Sequence, residues 1–277
     1  MKARITTSFI YDSAKRGPLV LDELRGIFQY RDLVYQLVKR DIVSRYKRSI
    51  LGVAWTMLNP LGTMIILTIV FSQLFHKVAG YPAYLLSGLI AWNFFSQTTS
   101  ASMHQMVWGS ALLHRIYMPR TVFVISVIGT GMVNLLLSLV PLLIVVLLVD
   151  LPLRWSLLFL PVSMLLLAAF ALGIGLLFSV WAIYFPDIAE MYRVLLTAWM
   201  YLTPVIYPPE IIPDSYRFWL FHLNPMYYLI QMFRQPIYEG NLPPFPQLAM
   251  GTVIAMFTLV LGWIVFSIKA DDFAYHT

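Results

Sequence analysis

The chain has 277 residues, 60% of them hydrophobic and 12% charged, with a mean hydropathy of +0.75, a formal charge of +6 and no cysteine. That balance excludes an ordinary soluble globular domain and makes the bilayer the solvent to reason with. Lacking Cys, the chain has no disulfide framework, thiolate metal site or cysteine nucleophile, while its redox compartment stays open.

Eleven of the nineteen Lys and Arg residues precede Ser49. The segment from Met1 to Gly26 is polar and lacks the basic, apolar, small-residue order of a cleavable signal, so insertion is expected to rely on the first span. Further along this leader (residues 1–49), Leu24, Ile27, Phe28, Val34, Leu37, Val38, Ile42 and Tyr46 recur at three- and four-residue spacing. Arg31, Lys39, Arg40, Arg45, Lys47 and Arg48 fill the gaps. The spacing predicts an amphipathic interfacial helix. It is either a positive-inside anchor or a cationic helix that also meets a phosphate-bearing lipid, since Arg binds phosphate through a planar fork. Its partner is expected to be an anionic lipid surface and not nucleic acid, because no nucleic-acid motif accompanies the charges.

Ile50 to Phe75 then runs without a charged residue. A hydrocarbon core of roughly 30 Å takes about 20 apolar helical residues, so this reads as a membrane span whose basic flank marks the cytoplasmic side. Further spans are predicted at Ala83–Trp108, Thr121–Val149, Trp155–Ile183, Val194–Tyr207 and Gln247–Ile268, which makes six within residues 50–268. Asp150 to Arg154 makes the hairpin between the third and fourth. The fifth is short, with sixteen uncharged residues between Arg193 and Glu210.

Phe218 to Phe233 is apolar and aromatic but is interrupted by Asn224-Pro225, and it reads as re-entrant, within a segment of about residues 208–235. With six crossings and a cytoplasmic N-terminus, the inner segments hold fifteen Lys and Arg and the outer ones four, Lys77, Arg154, Arg217 and Arg234. The tail, residues 269–277, is then cytoplasmic as well. The predicted fold class is therefore all-α integral membrane: six transmembrane helices, an N-terminal amphipathic interfacial helix, and re-entrant helices between the last two spans.

Catalytic patterns are mostly missing. There is no G-x-x-x-x-G-K-[ST] phosphate loop, no H-E-x-x-H and no G-x-S-x-G. Glu210 and Asp214 are either an acid pair or solvated loop charges, and the prolines at 208, 209 and 213 oppose a continuous helix there. His104 reads as a packing residue or a ligand; no second His or carboxylate sits at helical spacing from it. The second span carries Asn93, Ser96, Gln97, Thr98, Thr99, Ser100, Ser102, His104 and Gln105 in its latter half, serving as helix glue or as the wall of a hydrophilic conduit. In the third span, Asn134 with scattered Ser, Thr and Gly reads as ordinary packing chemistry.

The outer segment Tyr207 to Pro246 holds eight of the seventeen prolines and ten aromatic residues, suiting an interfacial aromatic belt, a stacking surface for sugar rings, or both. Two inner segments, Gly109–Arg120 and Tyr184–Arg193, are longer than simple turns need and could dock a cytoplasmic protein.

Taken in order, several motifs carry a resemblance. They are Lys39-Arg-Asp-Ile-Val-Ser-Arg-Tyr-Lys-Arg-Ser-Ile-Leu-Gly52, Trp55 with Leu58-Asn-Pro60, and Tyr84-Leu-Leu-Ser-Gly-Leu-Ile-Ala-Trp-Asn-Phe-Phe95. Leu113-His-Arg-Ile-Tyr-Met-Pro-Arg120, Tyr201-Leu-Thr-Pro-Val-Ile-Tyr-Pro208 and Leu223-Asn-Pro-Met226 follow. From about Tyr30 to Ile268 the chain resembles the transmembrane subunit of bacterial ATP-binding-cassette exporters of lipid-linked polysaccharide, the family that exports O-antigen, teichoic acid and capsule. His114-Arg115 and Met118 depart from its commonest pattern, which has two basic residues and an aromatic there.

The resemblance implies a homodimer of six-span subunits in the bacterial cytoplasmic (inner) membrane, with both termini cytoplasmic. It implies two copies of a separate ATPase that binds the ATP and Mg²⁺, this chain holding no cofactor or metal. Arg31, Lys39, Arg40, Arg45, Lys47 and Arg48 would then gate a lipid pyrophosphate. The inner segments would be coupling helices, through His114, Arg115, Pro119 and Arg120 in one and Asp187, Glu190 and Arg193 in the other. The outer region would form short re-entrant helices above the channel.

The leading expectation is a permease subunit, itself no enzyme, that passes an undecaprenyl-type lipid-linked glycan outward, with Asn93, Gln97, Tyr201, Tyr207, Trp219, Phe221 and Tyr228 as path residues. One alternative is an integral-membrane glycosyltransferase acting on lipid-linked sugars, which would draw on Glu210, Asp214 and Glu239. The other is an ion-coupled transporter, which would want intramembrane carboxylates, yet no Asp or Glu lies between Asp41 and Asp150.

Overall fold

The computed structural model describes residues 28–47, 51–76, 78–108 and 119–269. Among these, every regular element is helical. The leader forms α1, Arg31–Tyr46. Leu33, Val34 and Leu37, one face of that helix, join a cluster with Val122 and Phe123 at the start of α4, Thr121–Leu148. A helix is present where one was predicted, but it is only weakly amphipathic: the apolar residues it turns inward meet protein, while Tyr35 and Val43 lie exposed among Arg31, Asp32, Gln36, Lys39, Arg40, Ser44 and Arg45.

The remaining long helices are α2 (Ala54–Phe71), α3 (Tyr81–Trp108), α5 (Leu160–Tyr184, entered by a 3₁₀ turn Trp155–Phe159), α6 (Asp187–Leu202) and α9 (Phe245–Lys269). Four stretches are long and apolar enough to cross a membrane by length and composition: Ala54–Phe71, Thr121–Leu148, Trp155–Tyr184 and Phe245–Lys269. They match the first, third, fourth and sixth predicted spans. The second, α3, has the length at 28 residues, but its latter half is polar. The fifth differs in its bounds. One helix of 16 residues runs through both the predicted docking segment and most of the predicted span, so no boundary exists at Arg193. Only Phe185 and Pro186 separate α5 from α6. Pro186 opens the helix without losing a needed N–H, and Asp187 and Glu190 in its first turn complement the helix dipole.

Although polar, α3 is the most enclosed of the long helices, packed against α2, α4, α5, α6 and a short helix, α8 (Pro225–Arg234). Its hydroxyls turn back on its own backbone: Ser87 donates to the Tyr84 carbonyl (2.8 Å), Thr98 to Phe94 (2.7 Å), Thr99 to Phe95 (2.8 Å) and Ser102 to Thr98 (2.8 Å). These bonds let a helix of this composition sit in the core with its polar groups satisfied. Close approach elsewhere depends on missing side chains. A Cβ on Gly262 of α9 would lie 2.3 Å from the Gly173 carbonyl oxygen of α5, and one on Gly173 would lie 2.4 Å from that of Thr258. Small residues let the two backbones touch, as membrane helices require.

Between α6 and α9 the chain forms the short turn α7 (Asp214–Arg217), a π-helical turn (Phe218–His222), α8 and a second π-helical turn (Gln235–Glu239). The break foreseen at Asn224-Pro225 is real. Asn224 caps α8 by accepting from the Met226 N–H (3.1 Å), and Pro225 takes the first helical position.

Arg234 was expected among the outer-loop charges, but it is 0% exposed. Its guanidinium donates to the carbonyls of Pro204 (2.9 Å) and Val205 (3.0 Å) and lies 3.7 Å above the Tyr84 ring. Carbonyl dipoles and a ring face replace water around the cation, which is why it tolerates burial. Gly88 makes room for it, since a Cβ there would come within 2.2 Å of the guanidinium.

Two substitutions test this packing. Gly262→Ala should lower the midpoint of thermal unfolding in detergent, at a cost of about 1–3 kcal/mol for forcing α5 and α9 apart. Arg234→Leu, which removes the guanidinium from the Val205 carbonyl and leaves that of Pro204 only the long bond from the Tyr84 hydroxyl, should cost on the order of 3 kcal/mol in the same measurement.

Candidate functional site

A chamber of about 650 Å³ opens among α1, α2, α3 and α4. On α3 its wall follows helical spacing through Ile90, Asn93, Phe94, Gln97, Thr98, Ala101, His104 and Gln105. Thr99 and Ser102 are buried away from it with internal bonds, Thr98 is bonded internally yet borders it, and Asn93, Gln97 and His104 face the open space.

α2 contributes Trp55, Thr56 and Asn59, and α4 contributes Thr130, Asn134 and Ser138. None of these was singled out from the sequence as lining a path. The signal was available: Thr130, Asn134 and Ser138 recur every fourth residue in an otherwise apolar helix, which places them on one stripe. Asn134 borders the chamber, and its side-chain oxygen is buried without a hydrogen-bond donor.

α1 closes one side with Asp41, Ser44 and Arg45. Asp41 is the one carboxylate among the described lining residues, and Arg40 holds it at 2.9 Å. Arg45 thus gives this side of the chamber a positive bias. The remaining wall offers amides, hydroxyls and an indole, groups that exchange hydrogen bonds with hydroxyl-rich ligands while carrying little net charge. Of the expected path and gate residues, the structure brings Asn93, Gln97 and Arg45 together here. Arg31, Lys39, Arg40 and Lys47 are exposed on or just after α1, and Arg48 lies outside the described residues.

The expected aromatic residues lie elsewhere. Tyr201 (61% exposed) and Trp219 (67% exposed) are presented outward, Trp219 beside a shallow recess with Trp199, Leu202 and Asn224. The Tyr207 hydroxyl donates to the Tyr201 carbonyl (3.0 Å), and the Tyr207 carbonyl accepts from the Tyr84 hydroxyl (2.9 Å). Phe221 and Tyr228 are buried, and they hold the segment together instead of facing a ligand. Phe221 stacks on Tyr227 at 5.0 Å, and the Tyr228 hydroxyl donates to the His222 carbonyl (3.2 Å).

The outer carboxylates do not form an acid pair: Arg217 holds Asp214 at 2.7 Å and donates to the Glu210 main-chain carbonyl (3.1 Å). Burial raises the Glu239 carboxyl above the usual range, and the charge of Arg234 works against that rise. Among the described residues no group of three or more His, Asp or Glu could hold a metal.

At the start of α6, Asp187, Glu190 and Arg193 are exposed, with Arg193 and Glu190 paired at 3.0 Å. A pair that open to solvent contributes little stability, which leaves these charges available for docking. Pro119 and Arg120 are half-buried at the start of α4, while His114 and Arg115 fall outside the described residues.

The chain is similar in sequence to known proteins over most of its length. It is 29% identical to the O-antigen export system permease protein RfbA of Myxococcus xanthus, over 91% of this chain and 97% of the relative. It is 24% identical to the RfbA permease of Klebsiella pneumoniae, over 76% and 82%, and 26% identical to the polysialic acid transport protein KpsM of Escherichia coli, over 83% and 90%. A family model described as ABC-2 type transporter matches residues 32–238, which takes in nearly everything from α1 through the turn after α8 and so includes all four walls of the chamber. The chain belongs to the ABC-2 type transporter membrane family.

Proposed function

We propose that this chain is the permease subunit of an ATP-driven exporter that moves lipid-linked polysaccharide, of O-antigen, teichoic acid or capsule type, across the cytoplasmic membrane. The observation that carries the reading is the chamber: four helices of a hydrophobic protein turn amides and hydroxyls toward one space, in a chain whose relatives are named for O-antigen export and polysialic acid transport. Sugar hydroxyls need such partners once water is displaced.

In this reading α3 and α6 cross the membrane with the four apolar stretches, giving six spans with both termini cytoplasmic. Two subunits pair, and two copies of a cytoplasmic ATPase, holding ATP and Mg²⁺, dock on the segment before α4 and on Asp187, Glu190 and Arg193. The cations of α1 meet the lipid pyrophosphate, and Arg45 extends that field into the chamber. Asn93 and Gln97 line the polar path, and Tyr201, Tyr207 and Trp219 offer rings beyond it, held in place by the packed Phe221 and Tyr228. Nucleotide-driven movement of the ATPase must favour one arrangement of the helices over another for export to be driven.

The test is reconstitution of the chain with its ATPase in vesicles that contain lipid-linked glycan. Export should require both proteins and ATP; transport by the permease alone, or sugar transfer by it, would sink the assignment. Within the working complex, Asn93→Leu with Gln97→Leu should cut export at least tenfold, because one unreplaced hydrogen bond is worth about 1 kcal/mol and a stranded polar group more. ATP hydrolysis should persist. Charge reversal of Asp187 and Glu190 to Lys should instead reduce co-purification of the ATPase.

A further inference from the structure

The outer helix α8 is strapped at both ends to a single stretch of chain, the end of α6 and the turn that follows it. At its start, Asn224 is buried, and its side chain uses every hydrogen-bonding position an amide has. The oxygen accepts from the Trp199 indole N–H (2.8 Å) and the Met226 N–H (3.1 Å). The nitrogen donates to the Thr203 hydroxyl (2.8 Å) and the Leu202 carbonyl (3.4 Å). Both groups facing the oxygen are donors only, so one orientation of the amide is satisfied and the flipped one is not. At its end, Arg234 binds the carbonyls of Pro204 and Val205.

The stretch so gripped is itself firmly seated. The Trp199 ring stands edge-on to Trp92 (6.2 Å) and Phe95 (5.3 Å) of α3, and the Thr203 hydroxyl donates to the Trp199 carbonyl (2.8 Å). α6 is unbroken from this clamp back to the exposed charges Asp187, Glu190 and Arg193, a rod of 16 residues and about 24 Å.

We propose that Asn224 is a positioning residue that makes α6 and α8 one mechanical body, so that displacement applied at the charged end of α6 is delivered to the aromatic segment around Trp219. This rests on the exporter reading above, in which the charged end of α6 meets the ATPase. The clamp stays closed throughout the cycle, and its bonds transmit movement without opening.

The experiment uses the full permease–ATPase complex in vesicles and reads ATP hydrolysis and glycan export together. Thr203→Val keeps the shape but removes the hydroxyl, and Asn224→Ala removes the amide. Each should lower export at least tenfold with hydrolysis within twofold of the parent, while Thr203→Ser should behave as the parent does. Parent-like export in both Thr203→Val and Asn224→Ala overturns the proposal; so does a proportional fall of both activities in Thr203→Val, which marks a merely structural part.

The chain has no native Cys, so a Thr203→Cys, Asn224→Cys pair can be bridged by a short bifunctional thiol reagent in the purified permease, without competing sites on this chain, before the ATPase is added. Bridging should restore export, whereas a bridged complex that hydrolyses ATP and exports nothing would show that the clamp must open. Lack of ATP-dependent export by the parent complex strikes the functional reading itself, a result distinct from all of these.

Discussion

Polar groups placed in hydrocarbon must find partners inside the protein, and α3 shows how this chain meets that demand. Its serine and threonine hydroxyls are turned onto the carbonyls three or four residues back, so the helix can be surrounded by other helices without stranding a donor. The longer amides and His104 cannot do this as readily, and they fall on the side where α1, α2 and α4 leave space. Core and chamber meet along one helix, with Thr98 at the seam, bonded to its own backbone and bordering the space.

The same constraint shapes the outer half. Arg234 is held by two main-chain carbonyls and the Tyr84 ring, and Asn224 by two donors and two acceptors. Both therefore sit comfortably in buried positions only while α8 and the turn after α6 keep their relation. The helix is also packed into the apolar core through Met226, Leu229, Ile230 and Phe233. Directional bonds add a fixed orientation to that burial, and Trp219 and Tyr201 are presented outward on a firm base.

Under the proposed function, three surfaces carry three different chemistries. Cations on the exposed face of α1 suit an anionic headgroup, the chamber suits hydroxyl-rich material, and the exposed start of α6 suits a soluble partner. Among the described lining residues, charge in the chamber is confined to its α1 side, where Arg40 engages Asp41 and Arg45 remains; the other walls offer neutral amides, hydroxyls and rings. A path has to bind weakly at many points if its cargo is to move on, and amides and hydroxyls do so better than fixed charges.

Much of this was legible in the residue order. The apolar runs that form α2, α4, α5 and α9, the basic leader, the interruption at Asn224-Pro225 and the motifs of the ABC-2 type transporter family can all be read locally, because hydropathy, charge and proline act over a turn or two of chain. The continuity of α6 through Arg193, the burial of Arg234 and the division of the polar residues of α3 could not be read that way. Each depends on what stands opposite: carbonyls of a distant turn for the arginine, neighbouring helices for the hydroxyls, and a gap between four helices for Asn93, Gln97 and Asn134. Residue order determined which groups needed partners. Only packing decided which partner each received, because hydrogen bonds and close contacts form between groups far apart in the chain and are set by geometry that no local pattern encodes.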